Sequence, residues 1–475
     1  MSAPTDRDEA NAYDVSLSPG RQQAVNLLSL LGVAGAIVVG MLDRPPTLWG
    51  LLPIILYAVL CLLGMDIVIA TVVALVSGLA IMQPSPGDVG LLLGDSLADQ
   101  ITIIGMIIML GAGVGEVLRV TGVAGTIVRG VMGAVGETHQ TAVAFGGMMA
   151  CLILVASLGT LAGALAIAAP ILIPIAARLG FTRSATASMM FIGGCAGLAL
   201  APFAGSNVAI MDAAEVGYLE YLRFGAGPLA VLSVLLGLLV VPWMQRRTAL
   251  DNDFYEAEEL GATDDVNVPH AGRTTAVFGL ALAISVTYAI ITKAEVTFPL
   301  LALPALAIVT GLAGGLSAAQ IASHVYRGAA KLISIFLLFW LLAALFIVID
   351  QLAPFDVILD MFGTDLANSS AFGFAIAIAL LGWVGVPGAT AAQVVLLDKV
   401  FGELAASIGL SAGAWVIVLL FASKADTYGP FPNGNMVGAM GLARSQNLRN
   451  MLITGWILLV PACLVYVLIL FVETR

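Results

Sequence analysis

Two similar stretches place polar side chains inside long apolar segments of the chain. Residues 201–207 read APFAGSN, and residues 429–435, at an offset of 228 positions, read GPFPNGN. Both contain Pro-Phe followed by Asn, and proline at such a point interrupts a helix. An interrupted backbone inside a membrane persists only where it is buried in protein or lines a cavity. The two stretches therefore predict the centre of a binding site.

Two further interruptions lie at the tips of predicted helical hairpins. The apolar segment 141–177 is broken at 157–163 (SLGTLAG), and the segment 371–405 is broken at 385–390 (GVPGAT). Half-helix N-termini favour anions and C-termini favour cations, and such ends meet at the substrate sites of many transporters. The polar side chains at or beside the four interruptions are Thr160, Ser206, Asn207, Thr390, Gln393, Asn433 and Asn435.

Neutral amides and hydroxyls suit a carrier that must release what it binds. Their oxygens can ligate Na⁺, and their N–H and O–H groups can donate to a carboxylate. We therefore expect these residues to bind substrate and ion. The alternative is that they only satisfy the backbone groups that proline and glycine leave without partners, because an unpaired buried polar group is costly.

Lys424 and Asp426 are ionisable residues inside a predicted span, where charges are costly and usually mark a pathway or a proton relay. Lys424 could bind a substrate carboxylate, or Asp426 could carry the coupling cation or proton while Lys424 neutralises it in the empty state. A structural ion pair is the alternative. The corresponding positions of the first half are Ala196 and Leu198, so the charges belong to one half only. The candidate Na⁺ ligands are Asn207, Asn435 and Asp426.

The composition of the chain predicts an all-α polytopic membrane protein. Hydrophobic residues make up 60% of the 475 residues and charged residues 10%, and the mean hydropathy is +1.04; these values lie outside the soluble range. The 52 glycines suit helices that pack closely in lipid. The sequence contains no basic patch with interleaved aromatics, Walker motif, zinc motif or nucleophile elbow. We therefore expect no nucleic-acid partner, ATP-driven step, catalytic residue or cofactor other than a coupling ion.

The apolar segments form two similar sets. The predicted spans are 24–42, 48–64, 67–82, 101–118, 185–211, 224–244, 276–292, 297–314, 332–349, 411–440 and 452–472, with hairpins at 141–177 and 371–405. The offset of 228 positions places 48–64 on 276–292 and 224–244 on 452–472, and short amphipathic pieces follow at 123–135 and 354–363. If both hairpins are re-entrant, the two sets enter the membrane in opposite directions. The prediction is two inverted-topology repeats with about 11 spans and 2 hairpins.

Charge distribution sets the predicted orientation. With the N-terminus in the cytoplasm and the C-terminus outside, most of the 19 Lys and Arg residues lie on the cytoplasmic side, as the positive-inside rule requires. The predicted regions are 1–23 (disordered cytoplasmic tail), 24–43 (extra N-terminal span), 44–246 (first repeat), 247–273 (acidic cytoplasmic linker) and 274–475 (second repeat).

Other charged or glycine-rich positions have simpler interpretations. Asp212 and Glu215 follow the first interruption, and we expect them to be solvated at the external surface. Glu116, one turn before Arg119, is expected to pair with it near the cytoplasmic boundary. The run 111–115 (GAGVG) lies inside an apolar span, where it predicts close helix packing and no dinucleotide site.

The hairpin tips with Gly159-Thr160 and Gly388-Ala389-Thr390, each followed by a span with Pro-Phe-x-x-x-Asn, resemble the ion transporter superfamily. That group includes NhaC-type Na⁺/H⁺ antiporters and DcuC-like and citrate-type organic anion carriers. The resemblance implies an elevator mechanism in which 141–211 and 371–440 move against a scaffold, and a homodimer. NhaC-type antiporters typically carry Ser-Pro-x-Ser-Asp at the first broken span, whereas this chain has no Asp there.

We therefore expect a secondary active transporter of the inner membrane that couples Na⁺ or H⁺ to transport of a small organic anion (a carboxylate). The alternative is an NhaC-type Na⁺/H⁺ antiporter, and a remote alternative is an intramembrane hydrolase or scaffold. The expected partners are an ion or small-molecule substrate, membrane lipid and a second copy of the chain.

Overall fold

Helices make up nearly all of the described chain. The computed structural model describes residues 19–136, 138–256, 268–292, 294, 297–354, 357, 361, 370–384, 390–429 and 433–474. The helices before the acidic linker are α1 (Pro19–Leu42), α2 (Leu52–Leu62), α3 (Ile67–Met82), α4 (Pro86–Asp95), α5 (Gln100–Val120), α6 (Val123–Val135), α7 (Gln140–Leu158), α8 (Leu161–Arg178), α9 (Arg183–Leu200), α10 (Gly205–Ala213), α11 (Tyr218–Tyr221) and α12 (Gly227–Ala249).

The helices after the linker repeat much of this order. They are α13 (Ala271–Thr292), α14 (Pro299–Ala313), α15 (Ala318–Ala330), α16 (Ile333–Leu352), α17 (Ala371–Leu381), α18 (Thr390–Ser407), α19 (Ala412–Tyr428), α20 (Gly434–Leu442) and α21 (Leu448–Glu473). One isolated β-bridge, between Thr182 and Phe254, is the extent of strand pairing in the described residues. The all-α prediction is confirmed.

Many of these helices can cross a membrane. Nine described helical segments are long and apolar enough to do so: Gly20–Leu42, Gln100–Val120, Gln140–Leu158, Leu161–Arg178, Arg183–Ala213, Tyr218–Ala249, Ala271–Thr292, Ile333–Leu352 and Leu448–Glu473. Shorter apolar helices at Leu48–Cys61, Ile67–Met82, Pro299–Ala313 and Ala412–Ser423 coincide with further predicted spans. The chain is a multi-pass membrane protein, while its orientation stays a prediction.

The structure differs from the predicted regions at several boundaries. Helix α1 begins at Pro19, so the predicted tail 1–23 is helical from there on, and residues 1–18 lie outside the described part. The amphipathic piece predicted at 123–135 is α6, whereas most of 354–363 lies outside the described residues. The prediction omitted α4 and α15, because neither forms a long apolar run.

Short polar side chains fix where several helices begin. Asp66 accepts hydrogen bonds from the backbone of Val68 at 3.0 Å and Ile69 at 3.1 Å at the start of α3. Asp99 accepts from Ile101 at 2.8 Å at the start of α5. Each satisfies N–H groups that a helix leaves without internal partners. These carboxylates inside or beside apolar segments therefore have a capping role.

The chain divides into two compact units. The first comprises Met1–Leu92 and Ala344–Asp360; within it α1, α2 and α3 pack together, and the backbone N–H of Thr47 donates to the Leu352 carbonyl at 3.0 Å. The second comprises Leu93–Ala343 and Met361–Arg475. Both units contain residues from each predicted repeat, so the repeat boundaries stay a prediction.

Within the second unit, the two halves of the chain exchange equivalent contacts. Helix α10 packs on α18, and helix α20 packs on α8 and α9. Each short helix that follows an interruption therefore lies against the second arm of the other half's hairpin. The same unit holds α5 against α14 and α15, and α9 between α7 and α12.

Glycines bring the backbones of α7 and α9 into direct contact. A Cβ atom at Gly193 would overlap the carbonyl oxygen of Met148, and one at Gly197 would overlap that of Leu152. Both pairs are spaced by four residues, so one face of α9 lies against one face of α7. Small residues allow this approach, which is a common way for helices to pack in lipid. The contact fixes the first hairpin arm on the broken helix.

We expect Gly193→Ala to lower the free energy of unfolding by about 1–3 kcal/mol, because the added methyl must push two backbones apart. The measurement is unfolding of the purified protein in detergent. Gly279→Ala is the matched control, since Gly279 lies in α13 with nothing within 4 Å of its added Cβ. Equal stability of the two variants would contradict the close approach.

Candidate functional site

The first hairpin tip lies beside the first interruption. Helices α7 and α8 are joined by Gly159, whose positive φ of 69° glycine adopts without strain, and by Thr160. At the base of the hairpin, the side chain of Gln140 donates to the Leu179 carbonyl at 2.8 Å. A Cβ at Gly159 would lie 3.5 Å from the backbone of Ala204. The tip therefore touches the segment that separates α9 from α10.

Helix α10 follows directly after the segment that the hairpin tip touches. It has 9 residues, which at the usual rise correspond to about 13 Å. The re-entrant geometry of the hairpin stays a prediction.

Asn207 bridges the first interruption. Its side-chain amide nitrogen donates to the carbonyls of Leu198 at 2.7 Å, Ala199 at 3.2 Å and Ala201 at 2.8 Å. The last carbonyls of a helix have no internal partners, and inside a membrane water cannot supply them. The amide nitrogen is thus occupied by backbone, and only the side-chain oxygen of Asn207 could ligate a cation.

Two tyrosines complete this capping of α9. The hydroxyl of Tyr218 donates to the Leu200 carbonyl at 2.6 Å, and the hydroxyl of Tyr221 donates to the Ala199 carbonyl at 2.9 Å. The sequence prediction missed both residues, which lie 18 and 22 positions from their acceptors. A tyrosine pair just before a span was the available signal, but nothing local connects it to the interruption.

The helix N-termini at the same place lack such caps. Thr160 and Ala204 are the N-cap residues of α8 and α10, and neither side chain makes a capping hydrogen bond. Their helix ends carry partial positive charge. Ser206 contributes a long hydrogen bond to the Asn207 side-chain oxygen at 3.4 Å. At the interruption, the C-terminus of α9, which carries partial negative charge and is capped, therefore lies beside the N-termini of α8 and α10, which carry partial positive charge and lack side-chain caps.

A cavity of about 530 Å³ reaches this interruption. Pro202, Phe203 and Tyr218 line it, together with residues from the ends of α5, α13 and α14. The rings of Phe203 and Phe298 are 6.4 Å apart. In the predicted topology, all these helix ends lie on the external side.

Acidic side chains line the cavity. Its charged residues in the described part of the chain are Asp212, Glu215 and Glu220. Glu215 is exposed, as predicted, whereas Asp212 is half-buried. Asp398, on α18 of the other half, lies within electrostatic reach of Asp212 and accepts a hydrogen bond from the Trp415 indole at 2.8 Å. The prediction did not include Asp398 or the cavity.

The second interruption is bridged by a different asparagine. Helix α19 ends at Tyr428, Gly429 follows with a φ of 94°, and residues 430–432 lie outside the described part. Asn433 accepts from the Met436 backbone at 2.9 Å and donates to the Thr427 carbonyl at 3.3 Å. Asn435, the sequence counterpart of Asn207, is half-buried on α20. Sequence position and structural role therefore do not correspond between the two halves.

The second hairpin tip is only partly described. Residues 385–389 lie outside the described part, and Thr390 is the first residue of α18. Gln393 is buried, and its side chain donates to the Gly382 carbonyl. This contact joins the two arms of the hairpin. The hydrogen bonds of Asn207, Gln393 and Asn433 thus fit the alternative given above, in which these side chains serve as partners for backbone groups that the helix breaks leave unbonded.

Lys424 and Asp426 lie on the last turns of α19, but their side chains are outside the described part of the structure. Their roles stay predictions. The predicted pair of Glu116 and Arg119 is present at 2.6 Å, and Lys331 approaches the same carboxylate at 3.4 Å. Glu116 is 7% exposed, so this cluster joins the end of α5 to the segment between α15 and α16.

A family model described as "Na+/H+ antiporter family" matches residues 5–243, half of the 475-residue chain. The chain belongs to this family. The match confirms the resemblance to NhaC-type members of the ion transporter superfamily. It covers α1 to most of α12 and so includes the first hairpin and the first interruption. This membrane protein is therefore a secondary transporter, and its family gives no support to the hydrolase alternative.

The fold of this antiporter-family chain is similar to that of a solved transporter. The crystal structure of the Alcanivorax borkumensis YdaH transporter, reported to reveal an unusual topology, matches with a TM-score of 0.50 and 16% identity over 96% of this chain and 97% of that one. At this identity the likeness concerns the fold alone. No curated protein matches the sequence.

We expect Asn207→Ala to lower the free energy of unfolding by about 1–3 kcal/mol, because buried carbonyls lose a donor. The Leu198 and Ala201 carbonyls would keep backbone N–H partners at 3.3 and 3.4 Å only. Unfolding in detergent measures the change. Ser206→Ala is the control, since its one side-chain hydrogen bond is long; an equal loss in both variants would contradict a bridging role for Asn207.

Proposed function

We propose that this chain exchanges Na⁺ for H⁺ across the membrane by alternating access. The observation that carries the proposal is the acidic cavity, which Asp212, Glu215 and Glu220 line together with Pro202 and Phe203 of the interruption. Acidic walls raise the local concentration of cations and repel carboxylates. Membership of the Na⁺/H⁺ antiporter family also supports Na⁺ and H⁺ as the two exchanged ions.

The pairing of Asp212 with Asp398 supports exchange in particular. The two carboxylates repel each other, the nearby Lys399 offsets part of that repulsion, and either a proton or a cation relieves the rest. One ligand therefore competes with the other, which is the coupling that an exchanger needs. The carboxylates come from α10 and α18, helices that pack together from opposite halves of the chain. We propose them as the shared site, ahead of the Asn207, Asn435 and Asp426 set expected from sequence.

Movement of the hairpins and broken helices is the proposed route to alternating access. Helices α7 and α9 are in backbone contact through Gly193 and Gly197, and the hairpin tip touches the segment between α9 and α10. These elements can therefore move together as the predicted part 141–211, with 371–440 as its counterpart. An inner-membrane location, a cytoplasmic N-terminus and a homodimer remain part of the proposal.

Symport of a small organic anion is the second candidate. The uncapped N-termini of α8 and α10 meet near Gly159 and Ala204, and helix N-termini favour carboxylates. The cavity volume of about 530 Å³ also falls in the range of small-molecule sites. These observations favour an anion at the tip, whereas the charged residues of the cavity favour a cation on the way to it.

The deciding experiment uses purified protein in liposomes that enclose a pH-sensitive dye. We expect a Na⁺ jump outside to drive H⁺ out of the liposomes, and an equal jump of choline to have no effect. In parallel, uptake of labelled mono-, di- and tricarboxylates is measured with and without a Na⁺ gradient. Carboxylate uptake without Na⁺-driven H⁺ movement would favour the second candidate over exchange. If the protein shows neither activity, both candidate functions are wrong.

We expect Asp212→Asn to raise the Na⁺ concentration at half-maximal exchange by about tenfold. Removing the carboxylate charge weakens the attraction for a nearby cation by roughly 1.4 kcal/mol, which corresponds to that factor. The liposome assay provides the measurement. Asp88→Asn is the matched control, because Asp88 is an exposed acid that does not line the cavity. The same Na⁺ dependence in Asp212→Asn and the wild type would remove Asp212 from the pathway.

A further inference from the structure

The carbonyl end of α9 is the part of the site with the character of a cation ligand. The last carbonyls of a helix carry partial negative charge and favour cations. Here the carbonyls of residues 198–201 point at neutral donors, the amide of Asn207 and the hydroxyls of Tyr218 and Tyr221. A cation that binds at this end competes with these donors for the carbonyl oxygens.

The three donors differ in their access to the cavity. Asn207 and Tyr221 are 1% and 0% exposed. Tyr218 is half-buried and lines the acidic cavity. Its hydroxyl covers the Leu200 carbonyl at 2.6 Å, whereas the Ala199 carbonyl is bonded by both Tyr221 and Asn207. The Leu200 carbonyl is thus the acceptor in this set whose side-chain donor lines the cavity.

We infer that the Leu200 carbonyl is a ligand of the transported cation and that the Tyr218 hydroxyl covers it in the conformation seen here. The inference rests on the proposed cation exchange and adds a specific site to it. A small monovalent cation displaces the hydroxyl from the carbonyl, and the hydroxyl returns when the cation leaves. Tyr218 is therefore a positioning residue that sets the apparent affinity, because each binding event must first break one hydrogen bond.

The backbone that follows Tyr218 is irregular. Tyr218 is the first residue of the four-residue helix α11, which is followed by a π-helical turn at Leu222–Ala226. Such turns interrupt regular helix hydrogen bonding and are frequent at functional sites. The ring stacks on that of Tyr221 with centroids 6.4 Å apart. Removal of the hydroxyl alone leaves this stacking in place.

The test is Tyr218→Phe in the liposome exchange assay. Loss of the competing hydrogen bond should lower the Na⁺ concentration at half-maximal exchange by about 2- to 10-fold. Tyr255→Phe is the matched control, because the Tyr255 hydroxyl donates to the helix-terminal Ala443 carbonyl at 2.9 Å and does not line the cavity. Burial raises the pKa of Tyr255 to about 12, so this hydroxyl remains a donor at neutral pH, and Tyr255→Phe should keep the wild-type Na⁺ dependence.

The outcomes separate this inference from the function on which it rests. If the wild type exchanges Na⁺ for H⁺ while Tyr218→Phe shows an unchanged or raised half-maximal concentration, the inference is wrong and the exchange stands. If the wild type shows no exchange, the proposed function itself fails. An equal shift in Tyr255→Phe would also overturn the inference, since the effect would then follow from any lost tyrosine cap.

A second measurement on the wild type covers the case in which Tyr218→Phe does not fold. Nitration of tyrosines by tetranitromethane, read by mass spectrometry of peptides, reports how accessible each ring is. Na⁺ should increase nitration of Tyr218, because the displaced side chain turns towards the cavity, and choline should not. Nitration of Tyr218 that is insensitive to Na⁺ would overturn the inference.

Discussion

A backbone inside a membrane must find all of its hydrogen-bond partners within the protein, and this constraint shapes the centre of the molecule. The interruption between α9 and α10 leaves carbonyls that a continuous helix would satisfy. Asn207, Tyr218 and Tyr221 supply the missing donors. The interruption persists because these side chains converge on it, and one of them, Tyr218, also lines the cavity.

The two halves of the chain meet this constraint in different ways. In the first half, an asparagine on the second helix reaches back across the interruption. In the second half, Asn433 stands at the N-cap of α20 and bonds both sides of the interruption. Similar sequences thus give similar helix breaks, whereas each half uses the polar side chain that its own geometry brings near. The functional difference between the halves rests on such details more than on the shared Pro-Phe pattern.

Electrostatics gives the site its preference for charge. The carbonyl end of α9 and the carboxylates of Asp212, Glu215 and Glu220 favour cations on the cavity side. The helix N-termini at Thr160 and Ala204 favour an anion at the hairpin tip. A transporter fold of this kind can therefore serve either kind of substrate, and the charges of the access path decide which ion is concentrated there. In the proposed exchange, Asp212 and Asp398 on the adjacent helices α10 and α18 supply the carboxylates that the interruption itself lacks.

The sequence by itself determined the all-α membrane architecture, the place of nearly every long helix and the breaks between α7 and α8, α9 and α10, and α19 and α20, because hydropathy and helix-breaking residues act locally. It also identified the Glu116–Arg119 pair, which lies within one helical turn. The tertiary structure alone decided which donors reach the carbonyls of α9 and that Asp398 lies near Asp212. The two tyrosine contacts join residues 18 and 22 positions apart, and packing between helices, not local sequence pattern, brings them together. Polar residues at an interruption could therefore be located from sequence, but whether each one binds backbone or ion depends on neighbours that only the fold supplies.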